Sequence, residues 1–143
     1  MKKVLFALLM ISATAMVFTS CKKDKDDDNG GSIVGTWKLT KGVEYYLVDG
    51  KLQGEKQEDD LSDENFVITF TSNGKYTTKQ DGSVEDEGTY SYSDGKLTIK
   101  YDGDTDVVKV AVSGNTLIFK YEDDDSTDDN TIIWVNEEHY TRQ

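Results

Sequence analysis

Short runs of alternating apolar and polar residues, separated by glycine-containing turns, are the feature that most limits what this chain can fold into. In one run Phe66, Ile68 and Phe70 alternate with Val67 and Thr69. Asx-Gly pairs between such runs supply the positive φ angles that tight hairpins require. Period two in many short runs predicts an antiparallel sheet with one buried face. The turn signals are Asp49-Gly50, Asn73-Gly74, Asp81-Gly82, Asp94-Gly95, Asp102-Gly103 and Ser113-Gly114-Asn115.

The number of these runs predicts the architecture. With a first strand over about residues 36 to 48 and a last one from residue 131 onward, the chain has about eight strands joined as a meander. No window has a convincing helical period, and the absence of proline suits continuous β structure. Such a meander closes into a barrel or stacks as a sandwich, and closure removes exposed strand edges. The fold class is therefore all-β, and we expect residues 53–65 and 123–130 to form polar loops at the rim.

Residues 1–20 have the layout of a secretory signal peptide. Lys2 and Lys3 precede an apolar stretch, residues 4–16, which is shorter than the roughly 20 residues of a spanning helix. The stretch ends in Phe18-Thr19-Ser20-Cys21, which resembles the lipobox of bacterial lipoproteins, where a peptidase cuts before the cysteine and its sulfur receives a diacylglycerol. Cys21 is the only cysteine, so no disulfide competes for it. We expect lipid on Cys21 to anchor the protein to a membrane; the alternative is a plain signal peptide with an incidental cysteine.

Residues 21–31 are predicted to form a tether between the lipidated cysteine and the domain. Residues 22–31 read KKDKDDDNGG and contain no apolar side chain that could offset the cost of ordering the backbone. Their aspartates resemble the surface-export signal of some Gram-negative lipoproteins, whereas a merely solvated linker is the simpler interpretation. We therefore expect a cell-envelope protein anchored to the outer membrane, facing either the periplasm or the cell surface.

The charge balance excludes some partners. The formal net charge is −12, and loss of Lys2 and Lys3 with the signal would make it two units more negative. Nucleic acid is disfavoured because each phosphate contact needs a cation, and anionic lipid headgroups are disfavoured for the same reason. Residues 32–143 suffice for one ordinary domain. We expect that domain to be a monomer.

Three motifs in this domain resemble those of a known family. Residues 33–39 read IVGTWKL, residues 70–76 read FTSNGKY, and residues 88–99 read GTYSYSDGKLTI. The first resembles the Gly-x-Trp start of lipocalins, and all three together resemble the small lipocalin-like domains of Gram-negative lipoproteins. The resemblance implies a closed lipocalin-like barrel of about eight strands that binds a small apolar or amphipathic molecule. The domain departs from larger lipocalins in having no internal cysteine pair and no clear amphipathic helix after the barrel.

The same resemblance implies a contact at one end of the barrel. In lipocalins the Gly-x-Trp tryptophan lies across that end, under a basic residue from near the end of the chain. Trp37 is the tryptophan here, and Arg142 is the only arginine. We expect Arg142 to stack on or near Trp37, a cation–π contact of roughly 0.5–2 kcal/mol; the alternative is an unordered terminal arginine.

Catalytic and metal-binding constellations are not evident. Nucleophilic catalysis needs a base beside the nucleophile, and zinc needs several His or Cys ligands, but His139 is the only histidine and belongs to a polar strand. The alternating acids of residues 102–106 lack the glycine and glutamate of a calcium loop, and a charged turn is the preferred interpretation. We expect no enzyme activity, no metal and no cofactor.

The barrel interior is the remaining candidate site. An eight-stranded barrel is either filled by its own side chains or holds one small ligand, and the bulk of the inward residues favours a filled core with a shallow pocket at the mouth. A surface interaction module with acidic rim loops is the alternative function. The predicted ligand-binding residues are Tyr45, Phe66, Phe70, Tyr76, Tyr90, Tyr92, Tyr101, Phe119 and Tyr121. The rest of the predicted inward set is Trp37, Leu39, Ile68, Leu97, Ile99, Val108, Val110, Leu117 and Trp134.

Overall fold

A computed structural model describes residues 31–143 as one antiparallel sheet. The predicted signal peptide, Cys21 and nearly all of the tether lie outside the described residues. Strands that follow one another in the chain pair with each other, except that the third strand pairs with the first and not with the second. The strands are β1 Gly35–Val48, β2 Lys51–Asp60, β3 Phe66–Phe70, β4 Lys75–Gln80, β5 Ser83–Ser93, β6 Lys96–Tyr101, β7 Asp104–Ser113, β8 Thr116–Asp124 and β9 Ile132–Arg142.

Strand β1 closes the sheet into a barrel because it pairs on both of its edges. Its start pairs with β3, from Gly35 opposite Phe70 to Lys38 opposite Val67. Its other edge pairs with β9 along almost its whole length. Eight strands, β1 and β3 to β9, thus form a closed antiparallel barrel, and the predicted all-β barrel is confirmed.

Strand β2 was not predicted and replaces most of the expected polar loop at residues 53–65. It pairs with the second half of β1, which continues past the start of β3. Most of its side chains are exposed, so no alternation of apolar residues marks it in the sequence. A short 3₁₀ turn, Ser62–Glu64, then leads into β3. The backbone pairing with β1, rather than burial, makes this segment a strand.

The hairpin turns have the geometry that the Asx-Gly pairs predict. In four Asp-Gly pairs the aspartate has φ between 44° and 51°, and the glycine between 71° and 89°. Two successive residues with positive φ form the turn that matches the twist of antiparallel strands. These pairs therefore fix the register of the hairpins that they connect. They are Asp49-Gly50, Asp81-Gly82, Asp94-Gly95 and Asp102-Gly103.

The half of the barrel that contains Trp37 is filled by its own side chains. Phe119 and Tyr140 pack with their ring centres 5.1 Å apart, and Phe70 meets Tyr90 edge-on at 4.8 Å. Each of the fully buried rings and aliphatic chains contributes roughly 1.5–3 kcal/mol through burial. The buried cluster comprises Ile33, Trp37, Leu39, Phe66, Ile68, Phe70, Tyr76, Leu97, Val110, Val112, Leu117, Phe119 and Tyr140.

The end of the barrel beside Trp37 is sealed by Arg142, as the resemblance implied. The guanidinium carbon lies 4.1 Å from the centre of the Trp37 ring. The same group donates to the carbonyls of Val34 (2.8 Å) and Ser32 (2.7 Å), and Trp37 Nε1 donates to Ile33 O at 2.8 Å. Gly35, at φ +143°, leaves room for this guanidinium, which any Cβ at that position would meet far inside van der Waals contact. Gly35 and Trp37 of the motif therefore both contribute to the binding of the Arg142 guanidinium at this end.

Tyr45 lies on the outside of the barrel, so its predicted inward position is wrong. The alternation of β1 changes phase at Thr40, because Leu39 pairs with Tyr140 but Lys41 pairs with His139. This bulge reverses which side of β1 faces inward from there on. The Tyr45 hydroxyl donates to Glu137 Oε1 at 2.7 Å on the outer face, and Lys56 Nζ lies 4.1 Å from the centre of the Tyr45 ring.

Replacement of Arg142 by alanine is expected to destabilise the barrel by about 2–3 kcal/mol. The variant loses two charge-assisted hydrogen bonds and the cation–π contact. Urea unfolding followed by tryptophan fluorescence measures the change. Arg142→Lys keeps the charge but cannot bridge both carbonyls in the same way, and is expected to fall between the wild type and Arg142→Ala. An Arg142→Ala variant within 0.5 kcal/mol of the wild type would contradict this role.

Candidate functional site

The barrel end opposite Trp37 is open, and we call it the mouth. Three hairpin turns, at Asp49-Gly50, Asp81-Gly82 and Asp102-Gly103, and residues 125–131 between β8 and β9 lie at this end. The second half of β1, paired with β2 and β9, rises beyond β3 as one wall of the mouth. Residues 125–131 form a loop that covers most of the acidic segment predicted at residues 123–130, whereas Asp123 and Asp124 belong to β8.

Two tyrosine–carboxylate pairs lie at the mouth. The Tyr76 hydroxyl on β4 donates to Asp86 Oδ2 on β5 at 2.7 Å, and the Tyr101 hydroxyl on β6 donates to Asp106 Oδ2 on β7 at 2.7 Å. Burial, followed by the hydrogen bond to Asp86, raises the pKa of Tyr76 well above its usual value. The hydrogen bond to Asp106 is the main cause that raises the pKa of Tyr101 to about 12. Both hydroxyls therefore remain protonated donors at neutral pH.

A third carboxylate, Glu138 on β9, is shared by two tyrosines. Tyr140 donates to Glu138 Oε2 at 2.8 Å and Tyr121 donates to the same oxygen at 3.4 Å. Burial raises the pKa of Glu138, although both hydrogen bonds oppose this effect. Tyr121 is 39% exposed, although its register places it on the inward side of β8. Its hydroxyl is enclosed by protein, and this burial together with the charge of Glu138 raises its pKa.

These three carboxylates face one shared space. Asp106 on β7 contributes to the raised pKa of Tyr76 on β4 and of Tyr121 on β8, and Asp86 contributes to that of Tyr101. In the strand register Asp86 lies opposite Thr78, Asp106 opposite Ile99 and Glu138 opposite Phe119, so all three are on the inward side of their strands. The side chains from β4 to β9 therefore form one polar lining at the top of the apolar core.

The wall above this lining carries two exposed aromatic rings. Tyr46 on β1 and Trp134 on β9 pair across the strands, with ring centres 4.8 Å apart and planes tilted by 34°. Trp134 is 50% exposed and Tyr46 is 37% exposed. Tyr121 is on the inward side of β8, and it pairs with Asn136, which pairs with Glu44, so these residues share one face. Trp134 and Tyr46 lie two residues along their strands from Asn136 and Glu44, and therefore lie on the same face, which continues the barrel interior.

Of the predicted ligand-binding residues, the structure places Tyr101 and Tyr121 at the mouth. Tyr76 is buried in the core, and only its hydroxyl reaches the polar lining, where it donates to Asp86. Phe66, Phe70 and Phe119 are buried in the core and do not line an opening, because the rings pack on one another and on Tyr90 and Tyr140. Tyr90 donates to the carbonyl of Thr71 at 2.8 Å, in the β3–β4 turn at the sealed end. Tyr92 pairs with Leu97 near that same end. The predicted set is therefore divided between the core, the sealed end, the mouth and, for Tyr45, the outer face.

The acidic half of the lining was missed in the sequence. Asp86, Asp106 and Glu138 stand in phase with inward-facing residues, two positions before Gly88, Val108 and Tyr140 respectively. Extending each apolar alternation by one step toward the turn would have placed them inside. Among so many acidic residues, a single aspartate near a turn carries little information unless its phase is considered.

The outer face of β1 and β9 holds a separate polar group around Glu137. This carboxylate accepts from Tyr45 and contacts His139 Nε2 at 3.0 Å. Burial alone would raise the pKa of Glu137, but the hydrogen bonds from Tyr45 and His139 outweigh it and hold the pKa below its usual value. Beside it, Ala111, Ile118 and Lys120 line a surface depression of about 450 Å³. This depression lies on the convex side of the barrel.

The part of the chain that the structure describes contains no group of three or more His, Cys, Asp or Glu side chains arranged to hold a metal ion. Within residues 31–143, no helix has the length and apolar character needed to cross a membrane.

A small antiparallel barrel with a Gly-x-Trp strand at its sealed end and an open mouth is the architecture of lipocalin-like proteins. The chain belongs to the lipocalin-like domain family, whose model matches residues 33–119. Proteins of this family are generally non-enzymatic binding proteins. The matched range contains Trp37 and β1 to β7, with β8 as far as Phe119. Comparison with curated proteins found no match, and comparison with solved structures found none.

The pKa of Glu138 is raised and that of Glu137 is lowered, so the two carboxylates make the stability of the fold depend on pH in opposite directions. Because the pKa of Glu138 is raised in the folded state, its ionisation favours unfolding as pH rises above about 4.3. Glu138→Gln removes this loss, so the stability of the variant relative to wild type is expected to increase between pH 4 and pH 7.

Glu137→Gln is the matched control on the outer face. The pKa of Glu137 is lowered, so its contribution to stability is present above the usual carboxyl pKa and is lost as pH falls. This variant is expected to lose stability relative to wild type at pH 7 and to approach it near pH 4. Urea unfolding of both variants at each pH provides the measurement. Curves of the same sign for the two variants would disprove the assigned environments.

Proposed function

We propose that this protein is a lipid-anchored lipoprotein of a bacterial cell envelope whose barrel binds one small amphipathic molecule at the mouth. Membership of the lipocalin-like family supports a small-molecule binding role. The single observation that carries the proposal is the exposed Tyr46–Trp134 pair beside the polar lining. The domain acts as a monomer and catalyses no reaction.

The exposed rings favour a binding surface over a purely structural one. Aromatic side chains provide a large apolar contact area, and exposed apolar patches mark interaction sites. Trp134 and Tyr46 are held side by side by direct strand pairing, so their arrangement exists before a ligand arrives. Such preorganisation reduces the entropic cost of binding. Hydroxyl and carboxylate groups a few residues below the rings supply the polar contacts that orient a ligand.

The filled core limits how deep the ligand can lie. Phe66, Phe119 and Tyr140 pack against one another below the polar lining. A ligand therefore rests on Tyr101 and Tyr121 and against the aromatic wall, and does not penetrate to Trp37. The shallow mouth pocket that the bulk of the inward residues favours is part of this proposal.

The anchor follows from the lipobox-like sequence that ends at Cys21. Several acyl chains on one residue give stable attachment, because one chain binds membranes only marginally. The acidic residues of the tether favour the outer membrane and display on the cell surface. The mouth would then work close to a membrane without entering it.

An interaction module is the second candidate, and strand β2 is the observation that favours it. This ten-residue strand ends the sheet on one side, and Leu52 on it is 45% exposed. A free strand edge can accept an extended peptide through backbone hydrogen bonds. Its many charged side chains, including Glu55, Lys56 and Glu58, act against such pairing, which makes it the weaker candidate.

Substitution of Cys21 is expected to release the protein from the membrane. Cys21→Ala leaves no sulfur to receive a diacylglycerol, so the protein should move from the membrane pellet to the soluble fraction. Fractionation and intact-mass measurement of the processed chain test this. Ser20→Ala keeps the cysteine and serves as the control. If Cys21→Ala remains in the pellet and the wild type carries no lipid mass, the anchor proposal fails.

Trp134→Ala is expected to reduce ligand capture at least tenfold without loss of stability, since the side chain is half exposed. The protein is incubated with a small-molecule extract of the producing cells, washed, and studied by native mass spectrometry. Val107→Ala is the matched control, because Val107 is 63% exposed and lies on the outer face of β7. Bare protein mass for the wild type, or equal capture by both variants, would contradict binding at the mouth.

A further inference from the structure

Lysine side chains are concentrated on the outer face of the barrel wall. Each lysine of β4 to β8 alternates with an inward residue and therefore projects outward, as Lys109 does between Val108 and Val110. Acidic side chains lie on both faces, with Glu122 and Glu137 on the outside, but lysines are scarce on the face that forms the mouth. The outward lysines are Lys75, Lys79, Lys96, Lys100, Lys109 and Lys120. The acidic residues whose register places them on the mouth face are Glu44, Asp86, Asp104, Asp106, Asp123 and Glu138.

Very little positive charge opposes these acids on their own face. Lys51, at the tip of the β1–β2 hairpin and opposite Val48, is the one lysine of the described strands that register places on this face. Arg142 faces inward as well, but it lies at the sealed end against Trp37. The acids receive hydrogen bonds from tyrosine hydroxyls and from Asn136, which are neutral donors. The mouth therefore keeps a net negative charge.

The exposed aromatic rings lie on this same negative face. Trp134 pairs directly with Asp123, and Tyr46 is two residues from Glu44 along β1. The face of an aromatic ring attracts cations through its quadrupole, and tryptophan does so most strongly. Rings and carboxylates placed together thus favour the same kind of ligand, one with a positive charge beside an apolar body.

We infer that the small molecule bound at the mouth is an organic cation, an ammonium group attached to an apolar or aromatic body. Its charge lies among Glu44, Asp106 and Glu138, and its apolar part packs on Tyr46 and Trp134. Carboxylates can accept several hydrogen bonds each, so the oxygens that bind tyrosines still have room for an N–H donor. An anionic ligand is repelled by the same groups, and a neutral one leaves the charges without a partner. This inference rests on the proposed function and specifies its ligand class.

Three probes that share a phenylalkyl body test the inference. The cation 2-phenylethylammonium, the neutral 2-phenylethanol and the anion 3-phenylpropanoate are titrated into the processed, lipidated chain from Cys21 to Gln143 in nanodiscs of zwitterionic lipid. Quenching of tryptophan fluorescence reports binding, and empty nanodiscs correct for partition into lipid. We expect the cation to bind at least tenfold more tightly than either of the other probes, with an affinity that falls as salt increases.

Variants assign the binding to the mouth. Glu138→Gln and Glu44→Gln are each expected to weaken the cation at least fivefold, while the outward control Glu137→Gln changes it less than twofold. If Glu138→Gln unfolds, Glu44→Gln decides the matter alone, because Glu44 is exposed and contributes little to the core.

The possible outcomes separate the inference from the proposed function. Tightest binding of the cation with loss in the mouth variants supports both. Equal or tighter binding of the neutral or anionic probe overturns the cation preference but leaves a ligand-binding mouth. Cation binding that all three variants retain places the site elsewhere and overturns the inference. Absence of binding by every probe overturns the inference, and it overturns the proposed function too if the cell extract also yields only bare protein.

Discussion

The double pairing of strand β1 is the constraint on which the rest of the structure depends. Its first residues close the barrel against β3, while its remaining length joins β9 on one side and β2 on the other. Without this long strand the sheet would keep two open edges. The bulge at Thr40 then turns the second half of β1, so that Tyr46 and Glu44 face the mouth while Val43 and Tyr45 face outward. One strand thus contributes both to the sealed end and to the candidate site.

The two ends of the barrel differ in how well a partly buried charge is compensated by its surroundings. At the sealed end, the charge of Arg142 is satisfied by the Trp37 ring and by backbone carbonyls, so it stabilises a fixed structure. At the mouth, burial disfavours the ionisation of Glu138 and raises its pKa, and the hydrogen bonds from Tyr140 and Tyr121 offset this effect only in part. A buried carboxylate whose ionisation is disfavoured is typical of binding surfaces, because a bound ligand can supply the missing positive charge. The stabilising contacts of Arg142 and the proposed binding surface therefore lie at opposite ends of the barrel.

Local sequence predicted most of the barrel because its determinants are local. Asp-Gly pairs adopt positive φ wherever they occur, and the alternation of Phe66, Ile68 and Phe70 assigns their face directly. The position of Arg142 came instead from the family resemblance, since nothing near residue 142 indicates a partner more than a hundred residues away. Strand β2 was not predicted because it is held by backbone hydrogen bonds to β1, and its exposed side chains do not alternate between apolar and polar residues.

By itself, the sequence determined the all-β class, the hairpin turns and the apolar core, because turn geometry and burial depend on residue type and phase. Tertiary structure alone decided how the acidic residues are distributed between the two faces. A single bulge at Thr40 moved Tyr45 from the predicted interior to the outer face. Strand closure brought Asp86, Asp106 and Glu138 from distant positions to one mouth. The physical reason is that the electrostatics of a shared space depend on which strands curl together, and that arrangement is not encoded in any one segment.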